Sequence, residues 1–265
     1  MMRVLTNTDV MTTRSIEAGW TVKSLLEHIA TAEPRFHALI DTGALITGLS
    51  NKEVAQQLLS LGLSTWCEGI VFLDENDEKM ILVKATGRVL KLSQCGIAVE
   101  KRFAFYDQIH TTGMDIKHCL SARAALTLGK DMVFRDLAQG AFRMRGIGEG
   151  QTVSLLVIPE VKELMTRQLT KAGYKEGRTL ETSVEANGSM QKAALLDVTA
   201  WLVINSMRTE RLQFDQLCGQ NLANIWRQNA FDQLIDGHRR FAVKPTAAAG
   251  YMSEMLGEVF VSNRD

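Results

Sequence analysis

The sequence predicts an α/β fold in three layers: a largely parallel sheet with helices on both faces, an inserted β-hairpin and a C-terminal helical extension. Three observations lead there. Short apolar runs, at 36–40, 69–73, 102–106, 124–128 and 152–158, recur between stretches of helical periodicity. Strand–helix–strand steps need crossovers, and crossovers build parallel sheets covered on both sides. The chain is also long and apolar enough, at 265 residues and 46% hydrophobic, for one substantial core plus an extension.

Taken in order, Ile16, Trp20, Leu25, Leu26 and Ile29 recur at mostly helical spacing within 15–33, and Pro34 closes that segment. Phe36 to Ile40 reads as a buried strand ending at Asp41-Thr42-Gly43. Ser50 and Glu53 have capping-box spacing, with Val54, Leu58 and Leu61 as the apolar stripe of the helix that follows. After the strand Gly69 to Leu73, an acidic turn leads to Met80–Val83, the turn Ala85-Thr86-Gly87, and Val89–Leu92, which together read as the inserted hairpin. Strands at 102–106, 124–128 and 152–158 follow, with a helix over 132–144 between the last two. Beyond Pro159 the pattern turns helical, over 161–172 and 190–235, so residues 1–160 are expected to form the sheet lobe and 161–265 the helical extension.

Composition narrows the functional classes. Lys+Arg and Asp+Glu number 30 each, so any anionic partner must be met by a local patch. Cys67, Cys95, Cys119 and Cys218 form no C-x-x-C pair, which argues against a zinc site or a disulfide framework and for a reducing compartment. No apolar run approaches the roughly 20 residues of a membrane span, and a cytoplasmic protein without a membrane partner is expected.

A phosphate-cradling G-x-x-x-x-G-K-[ST] loop is absent: Gly129-Lys130 is followed by Asp131. Asp74-Glu75 and Asp107 to His110 imitate metal-binding strand ends, but read better as turn and capping residues, so no metal ligand is expected. Arg135, Gln139 and Arg143 recur every four residues and share one helix face. Arg145 lies about 200° from Arg143 and joins it only if the helix ends first, which Gly146 permits. A solvated role for both arginines, complementing the helix dipole, is equally open. Thr112-Gly113-Met114-Asp115 follows a strand and can turn its backbone toward a ligand, or Asp115 can simply cap the next segment. His118-Cys119 invites a thiol-imidazole reading that adjacency alone does not support.

Thr112 to Ile116 resembles the fifth motif, and Gln139 to Arg145 the sixth, of superfamily-two helicase-like ATPases, in the second of their two RecA-like lobes. The stretches from Asp41, from Gly69 and from Thr127 through Gln151 look closer still to a module of unknown function. That module occurs in very large eukaryotic and some bacterial proteins, many catalogued as putative deubiquitinases. The resemblance covers roughly 36–160.

It implies a RecA-like lobe in which Gln139, Arg143 and Arg145 act on the γ-phosphate while Thr112, Gly113 and Asp115 contact the nucleotide. The family's second arginine falls where this chain has Gly146, one position after Arg145. ATP with Mg²⁺ is then expected only beside a separate phosphate-loop lobe, with a nucleic-acid or polypeptide polymer as the possible substrate. Two other readings stand: a non-catalytic interaction module of a ubiquitin-related multidomain protein, and a cysteine deubiquitinase segment using Cys95 or Cys119.

Overall fold

The computed structural model describes residues 2–111, 115–173 and 188–241. In chain order the elements are α1 (Met2–Leu5), β1 (Met11–Ser15), α2 (Val22–Ala30), β2 (Ala38–Ile40), α3 (Asn51–Leu61), β3 (Gly69–Leu73), β4 (Lys79–Val83), β5 (Val89–Lys91), β6 (Arg102–Tyr106), β7 (Arg123–Thr127), α4 (Phe134–Ala141), β8 (Thr152–Val157), α5 (Pro159–Lys171) and α6 (Gly188–Phe241). The strands form one eight-stranded sheet in the order β1-β8-β7-β2-β6-β3-β4-β5. From β1 to β3 all neighbours are parallel, and β4 and β5 add the antiparallel hairpin at one edge. This is the mostly parallel, helix-flanked α/β sheet that the sequence predicts.

Local chemistry explains where elements start and stop. The predicted 15–33 helix begins only at Val22, because Gly19 turns the chain at φ +77° and Thr21 caps the helix, accepting from Ser24 N at 3.1 Å. At α3 the capping box is present: Ser50 N donates to Glu53 at 2.8 Å and Glu53 N to Ser50 Oγ at 3.3 Å. β1 was not predicted; Met-Thr-Thr-Arg-Ser is no apolar run, yet Met11 and Thr13 alternate inward on a sheet edge. The α4 helix is shorter than the predicted 132–144, ending at Ala141.

The connection from β2 through α3 runs to β3 on one side, and that from β7 through α4 runs to β8 on the other. With right-handed crossovers, α3 and α4 lie on opposite faces. Ile40 shares a cross-strand row with Tyr106 and Leu126, and Gly140 of α4 stands over that row: a Cβ there would lie 3.1 Å from Leu126 Cδ1. Leu39, Ala125 and Phe105 form the next row and point to the other face, where α2 packs beside α3.

Residues divide into two compact units, Met1–Ser206 and Met207–Asp265. The first turns of α6 belong with the sheet: Leu195, Val198, Trp201 and Leu202 are buried, and Asn205 Nδ2 donates to Met132 O at 3.0 Å. Among the described residues no helix is long and apolar enough to cross a membrane.

Candidate functional site at the switch between β2 and β7

Neighbouring parallel strands whose connections leave in opposite directions open a crevice at their carboxyl ends. Here those strands are β2 and β7. Asp41, directly after β2, is 2% exposed. Its Oδ1 accepts from Thr127 Oγ1 at 2.6 Å and from Leu45 N at 3.0 Å, and its Oδ2 from Ile46 N at 2.9 Å. Thr127 Oγ1 in turn accepts from Gly43 N at 2.9 Å. Burial pushes the Asp41 carboxyl above its ordinary range, outweighing those hydrogen bonds, which favour the charge. Asp41 therefore acts as an internal staple between the ends of two strands.

The loops after these strands touch through glycine. A Cβ on Gly43 would stand 2.6 Å from Gly129 N, and one on Gly129 would stand 2.4 Å from Gly43 O. Neither position has room for a side chain. Gly140 does the same for α4, where a Cβ would meet Thr42 Oγ1 at 2.4 Å. Backbone approach of this kind needs glycine on the approaching side.

Above that junction lies a cleft of about 530 Å³, lined among others by Thr42, Ala44, Gln108, Lys130, Arg135 and Gln139. Asp131 and Asp136 also reach its rim, with Asp136 Oδ2 turned back to accept from Val133 N at 2.9 Å. A second cleft of about 550 Å³ lies along α4, between Phe134, Ala138, Phe142 and Arg143. Arg135 and Gln139 wall both clefts, as their four-residue spacing predicts.

Past α4 the chain tightens, with Arg143 N donating to Gly140 O at 3.0 Å and Met144 N to Ala141 O at 3.1 Å. The helix does end before Arg145, and the two predicted arginines converge, but on a carboxylate of the chain itself. Arg143 Nη1 lies 3.3 Å from Asp115 Oδ1, and Arg145 grips both Asp115 oxygens, with Nη2 2.7 Å from Oδ1 and 2.9 Å from Oδ2. The Arg143 side chain is 9% exposed, whereas those of Arg145 and Asp115 are open to solvent. Hydrogen bonding from Arg145, helped by the charges of Arg145 and Arg143, holds the Asp115 carboxyl below its ordinary range against a smaller effect of burial. Thr112 and Gly113 lie outside the described residues.

The acidic strand ends have clear local duties. Asp74 Oδ1 accepts from Asn76 N and Glu78 N, both at 2.9 Å, closing the β3–β4 turn. His110 is held through Nδ1 by Asp107 and through Nε2 by Asp77, the latter at 2.7 Å. Carboxylates only accept, so the imidazole satisfies both by carrying two protons. Burial opposes that charge, but the two carboxylates together raise the His110 pKa. His118 Nε2 stands 3.0 Å from Tyr106 Oη, and burial lowers its pKa to about 4. Among the described residues no hydrogen bond joins a histidine to a cysteine, and the Cys67 thiol, buried on Gly69 O, is pushed up to about 11.

Comparison with protein families, curated proteins and solved structures returned no match. Asp41, Thr127, Lys130 and Gln108 are not joined into one site by any local motif. The signals were present as Asp-Thr-Gly after one strand and Thr-Leu-Gly-Lys after another, but joining them requires β2 and β7 to be neighbours.

Proposed function

We propose that this chain is the second lobe of a helicase-like or translocase-like ATPase module, supplying arginine and sensor groups to a nucleotide site completed by a separate phosphate-loop lobe. The observation that supports it best is the switch-point cleft itself: Lys130, Arg135, Gln139 and Gln108 line it, and Arg135 and Gln139 also wall the second cleft, which Arg143 lines. Two cations and two amides can bind phosphate oxygens, with the Asp131 and Asp136 carboxylates on the same rim. Among the described residues no group of carboxylates, histidines or cysteines could hold a metal, so ligands for Mg²⁺ would come from the other lobe. Arg143 then stabilises charge that develops on the transferred phosphoryl group, and Gln139 positions it. The polymer moved by such a module would be nucleic acid or polypeptide.

The test is steady-state ATP turnover. The chain alone is expected to show none; with its phosphate-loop lobe, turnover appears and Arg143→Ala lowers kcat by about 10³-fold or more. Turnover indifferent to that substitution rejects the role.

A second reading, a non-catalytic interaction module, is favoured by one fact: Asp115 already pairs with both arginines assigned to phosphate. It predicts no nucleotide-dependent rise in Tm even with the other lobe present.

A further inference from the structure

We propose that the distal half of α6 is a self-association surface that pairs antiparallel with a second copy of this chain. The inference is independent of the nucleotide reading. Past Ser206 the helix carries large apolar side chains in solvent: Met207 is 64% exposed, Phe214 65%, Leu222 55% and Ile225 54%, and Cys218 is exposed as well. At about 100° per residue these five positions fall within a sector of about 80° and form a stripe, while Leu212, Leu217, Trp226 and Phe231, exposed as well, lie on other sides of the helix. Contiguous exposed apolar surface of this kind marks a contact face. The helix also needs one. Gly219, Asn221, Asn224 and Asn229 are weak helix formers, and long helices in proteins owe their stability mainly to packing of an apolar face.

Charge decides the occupant and its direction. The same sector holds Arg211 near the start of the stripe and Asp232 and Asp236 beyond its end. Arg211 and Asp232 are both exposed, and neither is in an ion pair with another described residue. An antiparallel copy centred between Asn221 and Leu222 sets Arg211 against Asp232 of the partner subunit at both ends. Between them, Cys218 faces Ile225 of the partner subunit, and Leu222 lies at the crossing. A parallel copy instead sets arginine against arginine and aspartate against aspartate, which is unfavourable. In that antiparallel register Met207 faces Asp236 of the partner subunit and Phe214 faces Asn229 of the partner subunit, so the self-complementary part of the pattern is the Arg211 charge pair and the Cys218 contact around Leu222, which one orientation alone provides, as a two-fold contact requires.

The experiment uses the full chain in sedimentation equilibrium at micromolar concentration. The wild-type chain is expected to dimerise. Arg211→Glu and Asp232→Arg should each weaken the dimer about tenfold or more, while the double substitution recovers most of that loss. Rescue by exchanging the charges separates pairing from mere helix damage, and far-UV circular dichroism reports any variant that loses the helix. Direction is read by mild oxidation: in a Cys218→Ser background, Leu222→Cys should cross-link, whereas native Cys218 should not, because its counterpart lies about 10 Å along the axis. A monomeric wild-type chain, as when residues 242–265 cover the stripe in cis, overturns the proposal. So does a double variant no better than the singles, or a native Cys218 cross-link.

Discussion

Two aspartates, Asp41 at the carboxyl end of β2 and Asp115 in the connection from β6 to β7, meet opposite electrostatic fates. Asp41 is buried and held entirely by neutral donors, and its pKa is raised; Asp115 is open to water, gripped by two guanidiniums, and its pKa is lowered. Burial dominates where partners are neutral, and ionic hydrogen bonding dominates where solvent remains. The first arrangement builds a scaffold. The second leaves a charge that another anion could replace.

The comparison can be tested first by removing Asp41. Asp41→Ala strands a hydroxyl and two backbone amides and should cost about 3 kcal/mol or more in urea unfolding at neutral pH, whereas Asp41→Asn keeps one acceptor and costs roughly half. Equal losses would show that the second oxygen contributes nothing. Next is the glycine contact beneath the cleft. Gly129→Ala should cost about 2 kcal/mol, while Gly96→Ala, with open space around it, should change stability by less than about 0.5 kcal/mol. Smaller again, Asp115→Asn should alter stability by about 1 kcal/mol or less, because exposed pairs are solvent-screened and Arg143 keeps its bond to Gln139 O.

The pH dependence gives the finest discrimination. Asp115, with its folded pKa below the ordinary 3.8, adds stability that is present above 3.8 and lost as pH falls through the folded value. Asp41, with its folded pKa above 3.8, has the opposite sign: its contribution is greatest below 3.8 and declines as pH rises through the folded value. His110, raised above 6.5, contributes fully below 6.5 and loses that contribution as pH climbs through its folded pKa. Midpoints of urea unfolding for Asp115→Asn, Asp41→Asn and His110→Gln, measured from acid to alkaline pH, should flatten these three slopes separately. An unaltered alkaline slope in His110→Gln would remove the clamp between Asp77 and Asp107 from the account.

Much of the fold was readable because burial imprints itself on sequence. β3 and β6 lie where continuous apolar runs put them, since strands covered on both faces admit little else. β1 escaped because an edge strand of one Met followed by Thr, Thr, Arg and Ser resembles a loop. The end of α4 also escaped, because its tightening after Ala141 involves groups distant in sequence, with Arg143 and Arg145 turned toward Asp115. Arg143 and Asp115 were legible together only through the motif resemblance. The Asp41–Thr127 staple was not, because it joins residues 86 apart and depends on strand order, which local periodicity does not encode.

The shared wall formed by Arg135 and Gln139 has a thermodynamic corollary. One guanidinium cannot lean fully into two cavities at once, so an occupant that draws Arg135 to itself leaves the neighbouring chamber one cation poorer, with Arg143 remaining in the one along α4 or Lys130 in the one above the strand ends. Ligands in the two chambers should therefore weaken each other by the same factor, whichever is added first, and competition titrations in both orders would measure that reciprocity.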